Sequence, residues 1–189
     1  MLLDTGMSSH APDPAIVVKW PNVPACYGWL SLDRRGRWRL KGDAIRHAGL
    51  IGFINSHYGA DDSGNWTFQN GPQKVFVALD YTPLVLRLGI DRELTAHTSA
   101  AVGPATAAYL DEQGNALLDT AAGIGLLDDR DLPTFVAACR DEHGEPVGDE
   151  VLLGAMAGGA GAFWFGLPLQ GIDHREVPLR FGFQQNPVP

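Results

Sequence analysis

The chain has 189 residues, 45% of them hydrophobic and 19% charged, so it can bury a core and is not disordered by composition. Its formal net charge of −8 argues against general nucleic-acid binding, which needs a positive field to neutralise phosphates. No apolar run reaches the roughly 18–20 residues of a membrane-spanning helix, and the nearest candidate, Val151 to Gly166, is broken by five glycines.

Residues 1–14 show no basic segment followed by an apolar one, so a secretory leader is not expected and the compartment is read as the cytoplasm. With Pro12 and Pro14 at its end, this stretch is expected to be a flexible arm. A first hairpin follows, from Tyr27–Asp33 into Arg37–Lys41. Its second strand puts Trp38 and Leu40 on one face and Arg37, Arg39 and Lys41 on the other. Asp43 is an N-cap candidate for a helix reaching about Tyr58, with Ile45, Ala48, Ile51, Phe53 and Ile54 as its apolar positions. Strands are then expected over 65–69, 74–80 and 84–88, turned by Asn70-Gly71-Pro72 and by Tyr81-Thr82-Pro83.

The first half, residues 15–90, therefore reads ββαβββ. A composition break rich in Ala, Thr and Ser lies at Asp91–Pro104. Residues 105–189 read as mostly β. A hairpin spans 106–110 and 115–118, and a loop or short helix spans 119–131. Strands are expected over 133–140, 147–153, 162–167 and 177–183. The fold class is α+β, dominated by antiparallel hairpins with one principal helix. The two halves form either two subdomains or one continuous domain.

One turn recurs four times: Asp33-Arg-Arg-Gly36, Asp61-Asp-Ser-Gly64, Asp111-Glu-Gln-Gly114 and Asp141-Glu-His-Gly144. An Asp at the first position accepts nearby backbone N–H groups, and the Gly takes the left-handed conformation that closes a hairpin. No copy has the alternating Asp/Asn ligands and distal Glu of a calcium loop, so no metal is assigned to these turns. The spacings within the two pairs, 33 to 61 and 111 to 141, are nearly equal, which hints at a duplication that the flanking residues do not match.

Phosphate-loop, nucleophile-elbow, zinc-protease and dinucleotide motifs are absent, so no cofactor is expected. Cys26 and Cys139 lie far apart and form no C-x-x-C, which reads as two buried thiols. His57 with Asp61 and Asp62 makes a polar corner, and His174 between Asp173 and Arg175 makes another, either of which could offer a ligand or an acid–base group. The Arg37, Arg39, Lys41 face could take a small anionic ligand or simply protect a strand edge. Residues 1–60 carry seven basic against four acidic side chains, and residues 91–150 carry three against thirteen, an asymmetry suited to contact within a chain or across a homo-oligomer.

The runs Trp29-Leu-Ser-Leu-Asp-Arg-Arg-Gly-Arg-Trp-Arg-Leu, Gly-Leu-Ile-Gly-Phe-Ile-Asn within 45–58, and Trp66-Thr-Phe-Gln-Asn-Gly-Pro-Gln-Lys-Val-Phe-Val resemble an uncharacterised family of proteobacterial proteins. The resemblance is best over about residues 24–90. It implies a bacterial cytoplasmic protein of unknown function and supplies no catalytic residues. Within it, Phe68–Gln73 is more polar than a turn requires, which adds Gln69, Asn70 and Gln73 to the candidates. Two functions follow as expectations. One is a non-enzymatic binding or assembly protein acting as a homo-oligomer. The other is a small-molecule enzyme with a polar site between helix and sheet.

Overall fold

The computed structural model describes residues 20–189, and the arm expected over 1–14 lies outside the described residues. The fold is mixed α+β and mostly β, with two sheets and four helices among those residues. The first sheet is built from β1 (Ala25–Leu32), β2 (Trp38–Leu40), β3 (Asp43–Ala44), β4 (Tyr58–Ala60), β5 (Trp66–Asn70) and β6 (Gln73–Leu79), with α1 (Ala48–Ser56) between β3 and β4. Its spatial order is β3-β2-β1-β6-β5-β4, with β1 and β6 parallel and the other pairs antiparallel.

The second sheet contains β7 (Leu84–Leu88), β8 (Leu94–Ala96), β9 (Ala105–Asp111), β10 (Ala116–Thr120), β11 (Gly123–Leu127), β12 (Cys139–Arg140), β13 (Phe163–Trp164) and β14 (Leu167–Ile172). α2 (Leu132–Ala137) joins β11 to β12, α3 (Asp149–Met156) precedes β13, and α4 (Val177–Arg180) follows β14. Its order is β12-β13-β14-β9-β10-β11-β7-β8.

Six of those strands repeat the first sheet. Read from β11, the order β11-β10-β9-β14-β13-β12 matches β3-β2-β1-β6-β5-β4, with the same single parallel pair, β9 with β14, and a helix between the third and fourth strands. The Asp-x-x-Gly turns fall at matching places, after the first strand of each unit (Asp33, Asp111) and after the fourth (Asp61, Asp141). The nearly equal spacings in the sequence thus mark a duplicated topology.

The first half differs from ββαβββ in two ways. Lys41 and Gly42, both left-handed (φ 49° and 91°), turn the chain so that Asp43 and Ala44 pair with β2 as a third strand. The helix therefore starts at Ala48, capped by His47 Nδ1, which accepts the Leu50 N–H at 3.3 Å. Tyr81-Thr82-Pro83 is also a crossover between sheets and not a hairpin turn, since β7 pairs in parallel with β11.

In the second half, 123–127 is the strand β11. Thr120 Oγ1 turns the chain into it, donating to Gly123 O at 2.9 Å. The expected strand 133–140 is mainly α2: Pro133 suits a first helical turn, and Phe135 N donates to Asp131 O at 3.0 Å. The expected strand 147–153 overlaps α3, whose first turn carries Asp149 and Glu150 where the helix dipole favours acids. The expected strand over 177–183 begins with the short helix α4, with Pro178 in its first turn. The expected strand 162–167 is two strands joined by the Phe165-Gly166 turn.

The core explains why β9, β10 and β11 carry apolar residues on both faces. Alternate residues on a strand face opposite ways. Tyr109, Leu117, Ile124 and Leu126 join Leu30, Leu32, Val75, Val77 and α1's Leu50 and Ile54 in one apolar cluster. Ala108, Leu110, Ala116, Leu118 and Leu127 join a second cluster with Phe135 of α2 and Ala155 of α3. The second sheet is thus covered on both faces, by the first sheet and by its own helices.

The seam between the units is closed by the first Asp-x-x-Gly turn. Gly36 is left-handed (φ 72°), and a Cβ there would lie 2.5 Å from His97 Cβ just beyond β8. Tyr81 Oη donates to Asp111 Oδ2 at 2.9 Å, tying the end of the first sheet to the first turn of the second unit. His97 Nδ1 accepts the Val85 N–H at 3.3 Å, and its ring lies edgewise on Trp38 and Tyr58 at 5.3 and 5.5 Å. Burial pushes its pKa down to about 4, against an ordinary value of 6.5. The unfolded chain therefore binds the proton more readily between those values. This contribution to stability is complete above about pH 6.5 and is lost as pH falls toward 4. An NMR titration should find His97 still neutral at pH 5.5, and protonation near 6.5 would contradict its burial.

Candidate functional site

The nine residues singled out by sequence do not share one site. The carboxylate of Asp33, 5% exposed, takes Arg37 Nε at 2.8 Å and Arg39 Nη2 at 3.2 Å, and it accepts the backbone N–H groups of Arg35 and Arg37. Arg39 also donates to Gly42 O at 3.1 Å, and Lys41 Nζ sits 3.5 Å above the Trp29 ring. The basic strand face is thus largely engaged by its own hairpin.

His57 caps α1, with Nδ1 at 2.8 Å from Phe53 O. Asp61 closes its turn by accepting from Ser63 N and Asn65 N, and it meets Lys74 Nζ at 3.3 Å, while Asp62 is exposed. Gln69 Nε2 donates to Gly71 O at 2.6 Å. Asn70 reaches Gln73 at 3.5 Å, and Gln73 Nε2 holds the Pro21 and Val23 carbonyls at 2.7 and 2.6 Å. The polarity of Phe68–Gln73 is therefore accounted for by turn closure and by strapping residues 21–23 to the sheet. None of these nine side chains lines any of three surface cavities of about 470, 300 and 280 Å³.

The arginines fall into two groups, compensated and free. At the seam, Arg35 pairs with Asp129 (2.6 Å), Arg87 with Asp131 (2.6 Å) and Arg130 with Asp128 (2.6 Å). Arg130 holds the Asp128 carboxyl down to about 2. These guanidinium groups are neutralised in place. Arg92 and Arg140 differ: among the described residues neither forms an ion pair, although Asp91 and Glu93 flank Arg92 in sequence. Both line the largest of the three cavities, about 470 Å³, together with Thr134, Ala137, Ala138, Phe165 and Gly166.

Three separate elements build this cavity. Arg92 lies on the β7–β8 turn, Phe165 on the β13–β14 turn, and Thr134 to Ala138 on α2 and its end. In a flat sheet the two turns would lie five strand spacings apart, about 24 Å across the sheet, and at opposite ends of the strands as well. Arg92 Cζ nevertheless stands 4.1 Å from the Phe165 ring centroid, so the sheet curls until its two ends meet there. Arg92 (φ 65°) and Phe165 (φ 47°) are both left-handed non-glycine residues, a conformation costing about 1 kcal/mol each. Phe165 remains 41% exposed, and residues held in this backbone conformation cluster at functional sites. Arg140 Nη1 donates to the Ala137 and Cys139 carbonyls at 2.8 and 2.7 Å, which fixes its guanidinium at the end of α2.

The sequence could not reveal this arrangement. Arg92 and Phe165 are 73 positions apart, and only the curl of the sheet brings them together. The cavity can do one thing well: present two fixed or cradled guanidinium groups beside an aromatic face to an oxyanion. His174 and Asp173 meet Glu112 on another surface, away from this lining.

Comparison with known proteins agrees with the fold. A crystal structure of a DUF1285 family protein from Silicibacter pomeroyi DSS-3 is similar at a TM-score of 0.50 and 17% identity, over 89% of this chain and 91% of that one. A DUF1285 family protein from Shewanella baltica OS155 is similar at a TM-score of 0.44 and 15% identity, over 58% of this chain and 91% of that one. No curated protein matches the sequence. No helix among the described residues is long and apolar enough to cross a membrane. The DUF2944 family, described as "Protein of unknown function (DUF2946)", matches residues 14–188, so the expectation of an uncharacterised family holds and the chain belongs to that family.

Proposed function

We propose that this is a non-enzymatic binding protein, and that its ligand is a small molecule carrying an oxyanion, a phosphate or a carboxylate, on an apolar or ring-shaped body. The observation that carries this reading is the pairing of Arg92 and Arg140 in one cavity without a carboxylate partner among the described residues. Two charge-assisted contacts of this kind are worth about 1.5–3 kcal/mol each when water is displaced. Phe165, with Ile90 and Val136 on neighbouring elements and also exposed, supplies apolar surface for the rest of the ligand. The strongest nucleophile in the lining is the Thr134 hydroxyl, and the lining includes no carboxylate, histidine or cysteine, which favours binding over acid–base or covalent chemistry. The enzyme reading looked to His57, Asp61, Asp62 or Arg37 and Arg39; His57, Asp61, Arg37 and Arg39 are engaged by local partners, and Asp62 is exposed.

A thermal-shift series tests the ligand class. Phenyl phosphate and benzoate should raise the melting temperature in a concentration-dependent way, by about 2.7 kcal/mol of stabilisation at a hundred times Kd. Phenol and benzamide, which share the ring without the charge, should not. Equal shifts from charged and uncharged rings would remove the role of the arginines. Homo-oligomeric assembly is a second reading, supported by Leu153 on α3 and Leu179 on α4, both exposed. Light scattering at high protein concentration checks it, and a strict monomer counts against it.

A further inference from the structure

The seam between the two units carries a second, chemically different arrangement of charge. Arg35, on the first Asp-x-x-Gly turn, reaches across to Asp129, beyond β11 of the second unit. The two side chains are 52% and 57% exposed and meet through one contact, Nη2 to Oδ2 at 2.6 Å. Arg35 lines two cavities, of about 300 and 280 Å³, and Asp129 lines the smaller of them with it. The neighbouring ion pairs are of another kind. Arg130 grips Asp128 at 2.8 and 2.6 Å. Arg87 grips Asp131 at 2.6 and 3.1 Å, and the Leu88 N–H also binds that carboxylate at 3.0 Å. Those pairs are two-pointed and anchored in backbone, whereas the Arg35–Asp129 pair is a single exposed bar at the rim of the smaller cavity.

We infer that this bar is replaceable and that the cavity it borders takes an α-amino acid in its zwitterionic form. An exposed ion pair contributes only about 0–1 kcal/mol, so opening it costs little. The charge pattern then selects the occupant. A simple anion on Arg35 would leave Asp129 unpaired beside Asp128, which is already committed to Arg130. A simple cation on Asp129 would leave Arg35 unpaired beside Arg34 and Arg130. A ligand with a carboxylate and an ammonium on one carbon pairs both ends and leaves neither charge alone, so one exposed ion pair is exchanged for two. Because Arg35 and Asp129 belong to different units, an occupant also bridges the two sheets.

Isothermal titration of the full chain with the free proteinogenic amino acids tests this, with two charge-deleted controls for each binder: its N-acetyl form, which keeps only the anion, and its amide, which keeps only the cation. At least one free amino acid should bind, and both controls should bind about tenfold or more weakly. Arg35→Ala and Asp129→Ala should each weaken binding by about tenfold or more while moving the melting temperature by only a few degrees. The reversed pair, Arg35→Asp with Asp129→Arg, should fold as well as the parent and recover binding that each single reversal loses. No binding by any amino acid at about 10 mM overturns the inference. So does binding that survives Arg35→Ala, or an N-acetyl form that binds as well as its parent. The result is separate from the Arg92–Arg140 cavity, because neither variant touches that lining.

Discussion

Asp111→Ala should cost about 4 kcal/mol of folding stability, a large part of the roughly 5–15 kcal/mol by which a domain is stable. The side chain is fully buried, 0% exposed, and its two oxygens serve four donors. These are the backbone N–H groups of Gln113 and Asn115, both at 2.9 Å, Asn115 Nδ2 at 2.7 Å and Tyr81 Oη at 2.9 Å. Alanine leaves all four without the partner, and a buried unsatisfied donor costs about 1–3 kcal/mol before relaxation or entering water reduces it. The informative comparison is Asp141→Ala. Asp141 makes the same two turn contacts, to His143 N at 2.8 Å and Glu145 N at 2.9 Å, but at an exposed position where water can replace it. Urea denaturation should therefore show a large loss for Asp111 and a much smaller one for Asp141. Equal losses would mean that the turn alone, and not the junction with Tyr81, gives Asp111 its importance.

Gly36→Ala should destabilise by about 3 kcal/mol, combining about 1 kcal/mol for left-handed backbone with the cost of overpacking. Its φ is 72°, and the new methyl would lie 2.5 Å from His97 Cβ, an atom with little freedom to move because the His97 N–H bonds Val85 O at 2.7 Å. Gly42→Ala serves as the control. Its φ is 91°, and a methyl at that position would have no atom within 4 Å, so only the backbone penalty applies. The difference between the two variants measures how tightly the first turn is docked on the second unit. If the two lose the same amount, the seam is loose. Gly64 is constrained in a comparable way by the Gly182 carbonyl, 2.3 Å from its would-be Cβ, whereas Gly144 has nothing near it. Four turns with one sequence pattern thus do two jobs: all close a hairpin or loop, and three also dock against distant chain, two through the glycine and one through Asp111 and Tyr81.

What could be read from the sequence follows from the range of the forces involved. The Asp-x-x-Gly turns are local hydrogen-bond chemistry, and all four close with a Gly N–H to Asp carbonyl bond of 3.0–3.1 Å. The hairpin of β9 and β10 and the pair β5 and β6 were legible for the same reason. The stretch 133–140 misleads because Thr134, Phe135 and Val136 favour strands by propensity, while Pro133 and the packing of Phe135 on Trp164, 5.1 Å between centroids, favour a helical turn. Strands of two or three residues such as β3, β4 and β13 carry too few side chains to show alternation. The parallel pairs β1–β6 and β9–β14 join distant residues and leave no local mark. For the sites, residue type suggested Arg37, Arg39 and Lys41, but charge compensation decides which arginines are available. That depends on Asp33 turning back onto its own hairpin, and on the curl that brings Arg92 to Phe165.

In the proposed function, Arg92 and Arg140 together hold an oxyanion. Isothermal titration of the protein with phenyl phosphate, alongside Arg92→Ala, Arg140→Ala and the double variant, tests it most directly. One site per chain is expected, with each single variant weakening binding by about tenfold and the double variant abolishing measurable heat while the melting temperature stays near that of the parent. Parental affinity in the double variant, or no heat from the parent at about 10 mM ligand, would contradict it.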